Sequence, residues 1–403
     1  MITGRDFIFI SSIEWGFLWQ AHQEIASRLA AHGNRVFYIE NMGVRTPSLG
    51  DAGRIASRLK NWASARRSKG VRQVAANIHV CSPIVCPPFG SGWRRFINRR
   101  LFLPGLKRTA RNLGFRDPII WTWLPTDTSA DLIRLLSSPK SLVIYHSVAD
   151  FTQLTPQVEL LKNSERDVLS LSDLVFASCS QLANSAAQTN SHVYLTSHGV
   201  SLDAFPYAAA AERKSVPPLE LESLPHPIIG YVGGIHRHVD LDLIRQIALR
   251  RPDWTWVLVG SAQVSVDELQ NITNIKLVGA KSHSELVNFI RHFDVCAVPY
   301  VNTESTATVV PTKINEYLAV GRPVVATDLP TIREFNKEHG ILNLATSEPD
   351  AFITAIQTAL LSADDDSLAR RRRELAERAD WGLQMERISE VIEGRLVDRS
   401  RKL

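Results

Sequence analysis

PTKINEYLAVGRPVVATD, residues 311–328, reads as a loop, a helix, a glycine stop and a buried strand. Pro311 closes an irregular run, and Thr312 stands where a side chain caps a helix. Ile314, Tyr317, Leu318 and Val320 recur at helical spacing and give one apolar face. Lys313 and Glu316 lie three residues apart near the helix start, so they project from neighbouring positions on one side. Gly321 ends the helix, and Pro323–Ala326 has the β-branched character of a strand. A cation and a carboxylate at the mouth of a helix suit a nucleotide. The helix N-terminus and Lys313 favour phosphate, and Glu316 is placed to accept from ribose hydroxyls. The plain alternative is a surface ion pair on an ordinary helix.

Outward from this stretch, the second half of the chain alternates strands and helices. Its strand ends are marked by Gly233-Gly234, Gly260-Ser261, Gly279 with Lys281, and Pro299-Tyr300. Glycine after a strand lets backbone approach a ligand closely. Several such turns along one sheet edge make a nucleotide cleft, with Lys313, Glu316 and Thr312 at its end. Arg237 and His238, just past the glycine turn, are placed to balance a diphosphate or to sit in a solvated loop. Asp240-Leu241-Asp242 opens a helix and reads as capping, not as a metal motif.

The first half reads the same way. Asp6–Ser11 is a strand, Trp15–Ala31 a helix and Val36–Glu40 a second strand, the unit of a doubly wound sheet. Residues 45–72 read as basic and irregular or helical. Arg94–Leu113 reads as a basic amphipathic helix broken near Pro104-Gly105. Pro118–Trp123 and Ser141–His146 are further strands. Open α/β sheets bind ligands at the carboxyl ends of their strands. That edge offers Glu14, Trp15, Gly16 and His22 for an acceptor, then Thr126, Asp127, His146 and Asp150. Asp150 is the chosen general base, with His146 in a positioning role. The competing reading of Asp150 is a turn or helix-cap aspartate. Residues 206–226 carry four prolines and no apolar period and read as a linker.

Composition sets the bounds. The chain has 403 residues with 44% hydrophobic and 22% charged content, ordinary for a globular protein with two or three domains. Cys81, Cys86, Cys179 and Cys296 form no CxxC pair and read as reduced thiols in a cytosolic protein. The first apolar run reads as a strand, not a signal peptide, and no segment is long enough to span a bilayer. No P-loop, GxSxG or HExxH motif is present, and no metal cluster. The formal charge of +5 is unevenly placed: residues 51–120 hold fifteen Lys/Arg, from Arg54 to Arg116, against Asp51 and Asp117. Trp62, Trp93, Phe96 and Phe102 are interleaved with them. That block implies an anionic partner, and its aromatic residues suit a membrane interface. A solvated face with the aromatics turned inward is the plainer reading.

Together IIGYVGGIHRHVDLDLI, PDWTWVLVG, NIKLVGAKSHSEL, FDVCAVPY, PTKINEYLAVGRPVVATDLP and, in the first half, SHGVSLDAF resemble the group 1 superfamily of GT-B glycosyltransferases, over nearly the whole chain. The resemblance implies two Rossmann-like doubly wound domains facing a cleft: an acceptor domain over 1–205, the linker, and a donor-nucleotide domain over 227–380. A final helix over 381–403 crosses back to the first domain. It implies transfer from a nucleotide diphosphate sugar, UDP-linked, to a glycan or polyprenyl-diphosphate-linked acceptor in cell-envelope or exopolysaccharide synthesis. Neither metal nor cofactor is expected, the nucleotide sugar being the co-substrate. The donor would be held by Gly233, Gly234, Arg237, Gly260, Lys281, Tyr300, Thr312, Lys313 and Glu316. Residues 54–116 would meet an anionic membrane at the inner face of the plasma membrane, and no nucleic-acid partner is expected.

Three positions depart from the family pattern. Thr308 stands where many retaining members carry the first of two glutamates, Gly234 where they carry arginine, and His198 where asparagine is usual. The Lys313/Glu316 arrangement looks more like the xanthan-type glucuronosyltransferases and the teichuronic acid and capsule enzymes, which points to inversion with Asp150 as base. The rival is a catalytically silent GT-B-like protein that binds nucleotide or scaffolds an envelope assembly. An epimerase or phosphorylase of the same fold is a further one.

Overall fold

The computed structural model describes residues 1–17, 19–43, 70–89, 92–208 and 216–401. The expectations for residues 45–69, the basic positions from Arg54 to Lys69 with Trp62, and the middle of the linker at 209–215 lie outside the described residues. The chain forms two compact units, Met1–Ser197 with Met385–Leu403, and His198–Gln384.

The first unit is built on β1 (Asp6–Ile10), β2 (Arg35–Ile39), β3 (Val71–Ala75), β4 (Ile78–Cys81), β5 (Ile119–Thr122), β6 (Leu142–Ser147), β7 (Leu174–Ala177) and β8 (Val193–Leu195). They lie in the order β3-β4-β2-β1-β5-β6-β7-β8, parallel throughout except for β3 against β4. The central strands are apolar runs buried along almost their whole length, as strands covered on both faces must be. Two expectations are corrected here. Val71–Ala75 is an edge strand. It forms a hairpin with Ile78–Cys81, turning at Asn77, which takes a positive φ of 64°. The first helix is Ala21–Ala31, not Trp15–Ala31. Gln23 holds the residues before it out of the helix: its amide donates to the carbonyls of Glu14 and Trp15, and its Oε1 accepts from Gln20 N. Phe17 is therefore exposed and outside the helical face.

The second unit holds β9 (Ile228–Val232), β10 (Thr255–Val259), β11 (Ile275–Gly279), β12 (Val295–Val298), β13 (Val324–Thr327) and β14 (Asn343–Ala345), all parallel. The order is β11-β10-β9-β12-β13-β14. Counted within the unit, this is the doubly wound dinucleotide-binding order, which reverses between β9 and β12. The helix Pro330–His339 and the strand β14 were not read from the sequence. The helix begins with Pro330 in its first turn and ends at Gly340, φ 59°.

The opening stretch folds as a helix over Lys313–Val320 followed by β13. Ile314, Tyr317, Leu318 and Val320 are buried, and Gly321 closes the helix in the left-handed region at φ 87°. Thr312 does not cap it. The residue has helical dihedrals and makes no side-chain capping bond, because the turn from Pro311 already leads the backbone into helix, with Ile314 N bonded to Pro311 O.

Candidate donor and acceptor sites

In the second unit the order reversal places the ends of β9 and β12 side by side. Their loops are knit together: Asp240 N donates to Pro299 O and Val301 N to His238 O. Asp240 also caps the next helix, Leu241–Arg250, by accepting from Leu243 N at 2.9 Å. Lys313 enters from below this junction. Its Nζ donates to Tyr300 Oη at 2.5 Å and to Tyr231 Oη at 3.3 Å, and lies within 4.9 Å of both ring centres. Tyr231 Oη donates its own hydrogen bond to Gly234 O at 2.9 Å. Burial works against the ammonium, but the two phenols more than offset it, and its pKa lies above the ordinary lysine value.

Glycine is required at the two turns beside it. Gly233 has φ 132°, and a Cβ there would stand 3.0 Å from Lys313 Cε. Gly260 has φ 156°, and its Cβ would stand 1.9 Å from Gly233 O. The two turns therefore pack backbone on backbone above the lysine. His236 and His238 cross edge to face at 5.1 Å, with Tyr300 next to both. Burial first, then the charges of Lys313 and Arg237, hold His236 at about 4, so its imidazole is neutral. Arg237 itself is exposed.

Glu316 sits one turn along from Lys313 with its side chain 20% exposed and Nε2 of His283 at 4.0 Å. Burial raises its carboxyl to about 7, against the opposing pull of Lys313. The site thus brings together Gly233, Gly234, Gly260, Tyr300, Lys313 and Glu316. Lys281 is engaged elsewhere: it pairs with Glu220 and lies over the ring of Phe289. Thr312 is exposed at the helix start. Tyr231 and His283 were not singled out from the sequence. Tyr231 looks like any strand aromatic, and its partner lies 82 residues on.

In the first unit the order reverses between β1 and β5. There Trp123 is fully buried just past β5, stacked on Trp121 at 5.6 Å, with His22 at 4.5 Å and His146 at 5.7 Å. His22 Nε2 bonds Ser12 Oγ at 3.0 Å, and His146 Nε2 bonds Thr196 Oγ1 at 3.4 Å. Trp123 is the residue that joins two expected site histidines, and the aromatic end of PIIWTW was its only local signal. Glu40, also unforeseen, anchors the loop after β1. It accepts from Trp15 N at 3.0 Å and from Arg72 at 2.8 Å, and bonds Ser82. Trp15 packs edge-on against Tyr38 at 5.1 Å. Gly16 is exposed with open space about it. Glu14 is half-buried and lends its carbonyl to Gln23. Asp150 caps the short helix Phe151–Leu154, its Oδ1 accepting from Thr152 N at 2.9 Å and Thr152 Oγ1 at 2.6 Å. Among the described residues no group of three or more His, Cys, Asp or Glu is assembled to hold a metal ion.

A strand order that reverses beside a glycine turn, with a buried lysine close by, defines a doubly wound α/β class. Comparison with known proteins narrows it. Residues 226–362 match the family described as Glycosyl transferases group 1. The Bacillus subtilis (strain 168) protein TuaH, named for a glycosyltransferase role in teichuronic acid biosynthesis, is 26% identical over 231 residues. That match covers 55% of this chain and 57% of TuaH. Among solved structures, sucrose-phosphate synthase from Thermosynechococcus elongatus superposes with a TM-score of 0.71 at 17% identity, over 98% of this chain and 100% of that one. Anabaena HepE in complex with UDP gives 0.65 at 14% identity, over 97% and 100%. The fold is GT-B, and residues 226–362 are similar to the group 1 glycosyltransferases.

Proposed function

We propose that the protein transfers a glycosyl residue from a UDP-linked sugar to a polyprenyl-diphosphate-linked or glycan acceptor, in the synthesis of a cell-envelope polysaccharide, at the inner face of the plasma membrane. The observation that carries this reading is Lys313, a buried cation at the order reversal of the second sheet, beneath the Gly233 turn and beside Glu316. The fit to UDP draws support from the UDP complex of HepE, and the fit to an envelope polysaccharide from the name of TuaH.

In this reading Lys313 leaves its phenol partners to meet the departing diphosphate. A lysine already desolvated and held by neutral hydroxyls loses little solvation on meeting an anion, so its charge acts at full strength. The neutral imidazole of His236 adds a hydrogen-bond donor, and exposed Arg237 supplies a second charge. These groups take the part a metal would otherwise play at the leaving group. Glu316 accepts from the ribose hydroxyls. Asp150 takes the proton of the acceptor hydroxyl, and its bonds from Thr152 fix the carboxylate's orientation.

Titration calorimetry with UDP, GDP, ADP and TDP tests the donor half. UDP is expected to bind most tightly, with a dissociation constant at least about tenfold below the others, a gap of about 1.4 kcal/mol. Equal binding of all four would overturn the choice of uridine, and no binding of any would overturn the nucleotide site.

A further inference from the structure

Residues 92–116 carry eight Lys/Arg and no Asp or Glu. The chain there runs as α-helix over Gly92–Ile97, as a π-turn over Asn98–Phe102, and again as α-helix over Leu103–Asn112. Pro104 is the cause. It has no N–H for the carbonyl of Arg100, and its ring crowds the preceding turn. A wider turn, with Leu103 N bonded to Asn98 O, carries the helix past it. Asn98 pins that turn from inside, its amide bonding both N and O of Cys86 at 2.7 and 3.0 Å.

The consequence is angular. In an unbroken α-helix Leu101 would stand about 140° from Phe96; a π-turn absorbs one residue and leaves about 40°. Trp93, Phe96 and Leu101 thus fall on one stripe. All three are exposed, at 58%, 60% and 68%, while Leu103, Leu106 and Ala110 face the core. Arg94 lies over the Trp93 ring and Arg100 over the Phe96 ring, each at 5.7 Å. Arg95 is held by both carboxylate oxygens of Asp131. Among the described residues no carboxylate pairs with Arg94, Arg99 or Arg100. Beside the stripe opens a groove of about 710 Å³, lined by Phe96, Arg99, Arg100, Arg134 and Asp131 among others, where Asp131 is paired with Arg95 and Arg134, and Arg134 also with Asp167.

An apolar stripe alone would suit a protein partner. Flanked by guanidiniums that no described carboxylate pairs with, and with no acid along its sequence, it is complementary to an anionic lipid surface, where aromatic rings and arginine stems sit at headgroup depth. We propose that this stripe docks on an anionic phospholipid bilayer. Trp93, Phe96 and Leu101 enter the interface, Arg94, Arg99 and Arg100 meet lipid phosphates, and the groove takes one headgroup. This deepens the reading of a membrane-borne acceptor, but its test uses no sugar donor, so either can fail alone.

The test is sedimentation of the full chain with vesicles of phosphatidylcholine, alone or mixed with phosphatidylglycerol. Wild type is expected on the mixed vesicles only. Arg94→Gln/Arg99→Gln/Arg100→Gln is expected to lower the partition on the order of a hundredfold at low salt, about fivefold per charge. Trp93→Ser/Phe96→Ser is expected to abolish the binding that survives high salt. Arg245→Gln/Arg250→Gln removes one half-buried and one exposed charge from the second unit and is expected to bind as wild type. Equal loss in that control would reduce the effect to net charge and overturn the proposal. Wild-type binding by both stripe variants would overturn it too. Release of wild type by inorganic pyrophosphate at constant ionic strength would reassign the groove to a soluble phosphate. The substituted side chains are exposed or half-buried, and unchanged melting temperatures show that the variants are folded.

Discussion

Replacing Lys313 by methionine keeps an unbranched side chain of similar length in a buried slot and removes only the charge and its donors. In the free protein this costs little. Tyr231 keeps its bond to Gly234 O, and Tyr300 Oη loses one donor, worth about 1 kcal/mol. The bound state loses more. A hydrogen bond to a charged group contributes about 1.5–3 kcal/mol, which predicts UDP binding about tenfold to a hundredfold weaker. The loss is specific to phosphate, so uridine should bind the variant within about threefold of wild type. Titration calorimetry of UDP and uridine against both proteins reads the two numbers. Lys281→Met serves as the contrast. Its ammonium is taken by Glu220, and UDP affinity should be unchanged. Wild-type UDP binding by Lys313→Met, or uridine weakened by the same factor as UDP, would rule out a phosphate role for Lys313.

Glu316, raised to about 7 by burial, would hold the ribose hydroxyls much more strongly when ionised, as a charge-assisted acceptor. Uridine affinity should therefore fall about tenfold between one unit above and one unit below that value, with a flat profile in Glu316→Gln. The same raised pKa acts oppositely on the free protein: its stabilising contribution is full below the unfolded value of about 4.5 and is lost as pH rises through about 7. Ligand-free melting temperatures of wild type against Glu316→Gln check that sign. Gly260→Ala places a Cβ 1.9 Å from Gly233 O at φ 156°, and should cost about 3 kcal/mol or more in urea unfolding because backbone must move. Asp150→Asn keeps the oxygen that accepts from Thr152 and removes the base. It should melt as wild type does and turn over about a hundredfold or more slowly.

The alternation of strands and helices was legible because each parallel strand is a short apolar run bounded by glycine, proline or a capping residue. The site at Lys313 was legible in part for the same reason, since Gly233, Gly260 and Tyr300 are all strand-end residues. What escaped was carried by long-range pairing. Val71–Ala75 has two exposed polar residues and becomes a strand only against β4. Tyr231 gains its role from a lysine 82 residues away. The apolar spacing from Trp15 on looks helical, yet Glu40 and Gln23 bond the backbone of Trp15 and Gln20 outside the helix. Lys281 looked like a ligand cation because it follows a strand-end glycine, and the pairing with Glu220 lies 61 residues back.

The central claim is glycosyl transfer, and direct detection of the product tests it best. The full chain is incubated with UDP-sugars and a lipid extract of bacterial membranes, and the lipids are then followed by mass spectrometry alongside UDP release. The account predicts a lipid heavier by one sugar residue, with matching UDP, from wild type and from Lys281→Met, and much less of both from Lys313→Met and Asp150→Asn. UDP bound tightly but no sugar moved from any donor to lipid or glycan would contradict it, and would leave a nucleotide-binding protein without transferase activity.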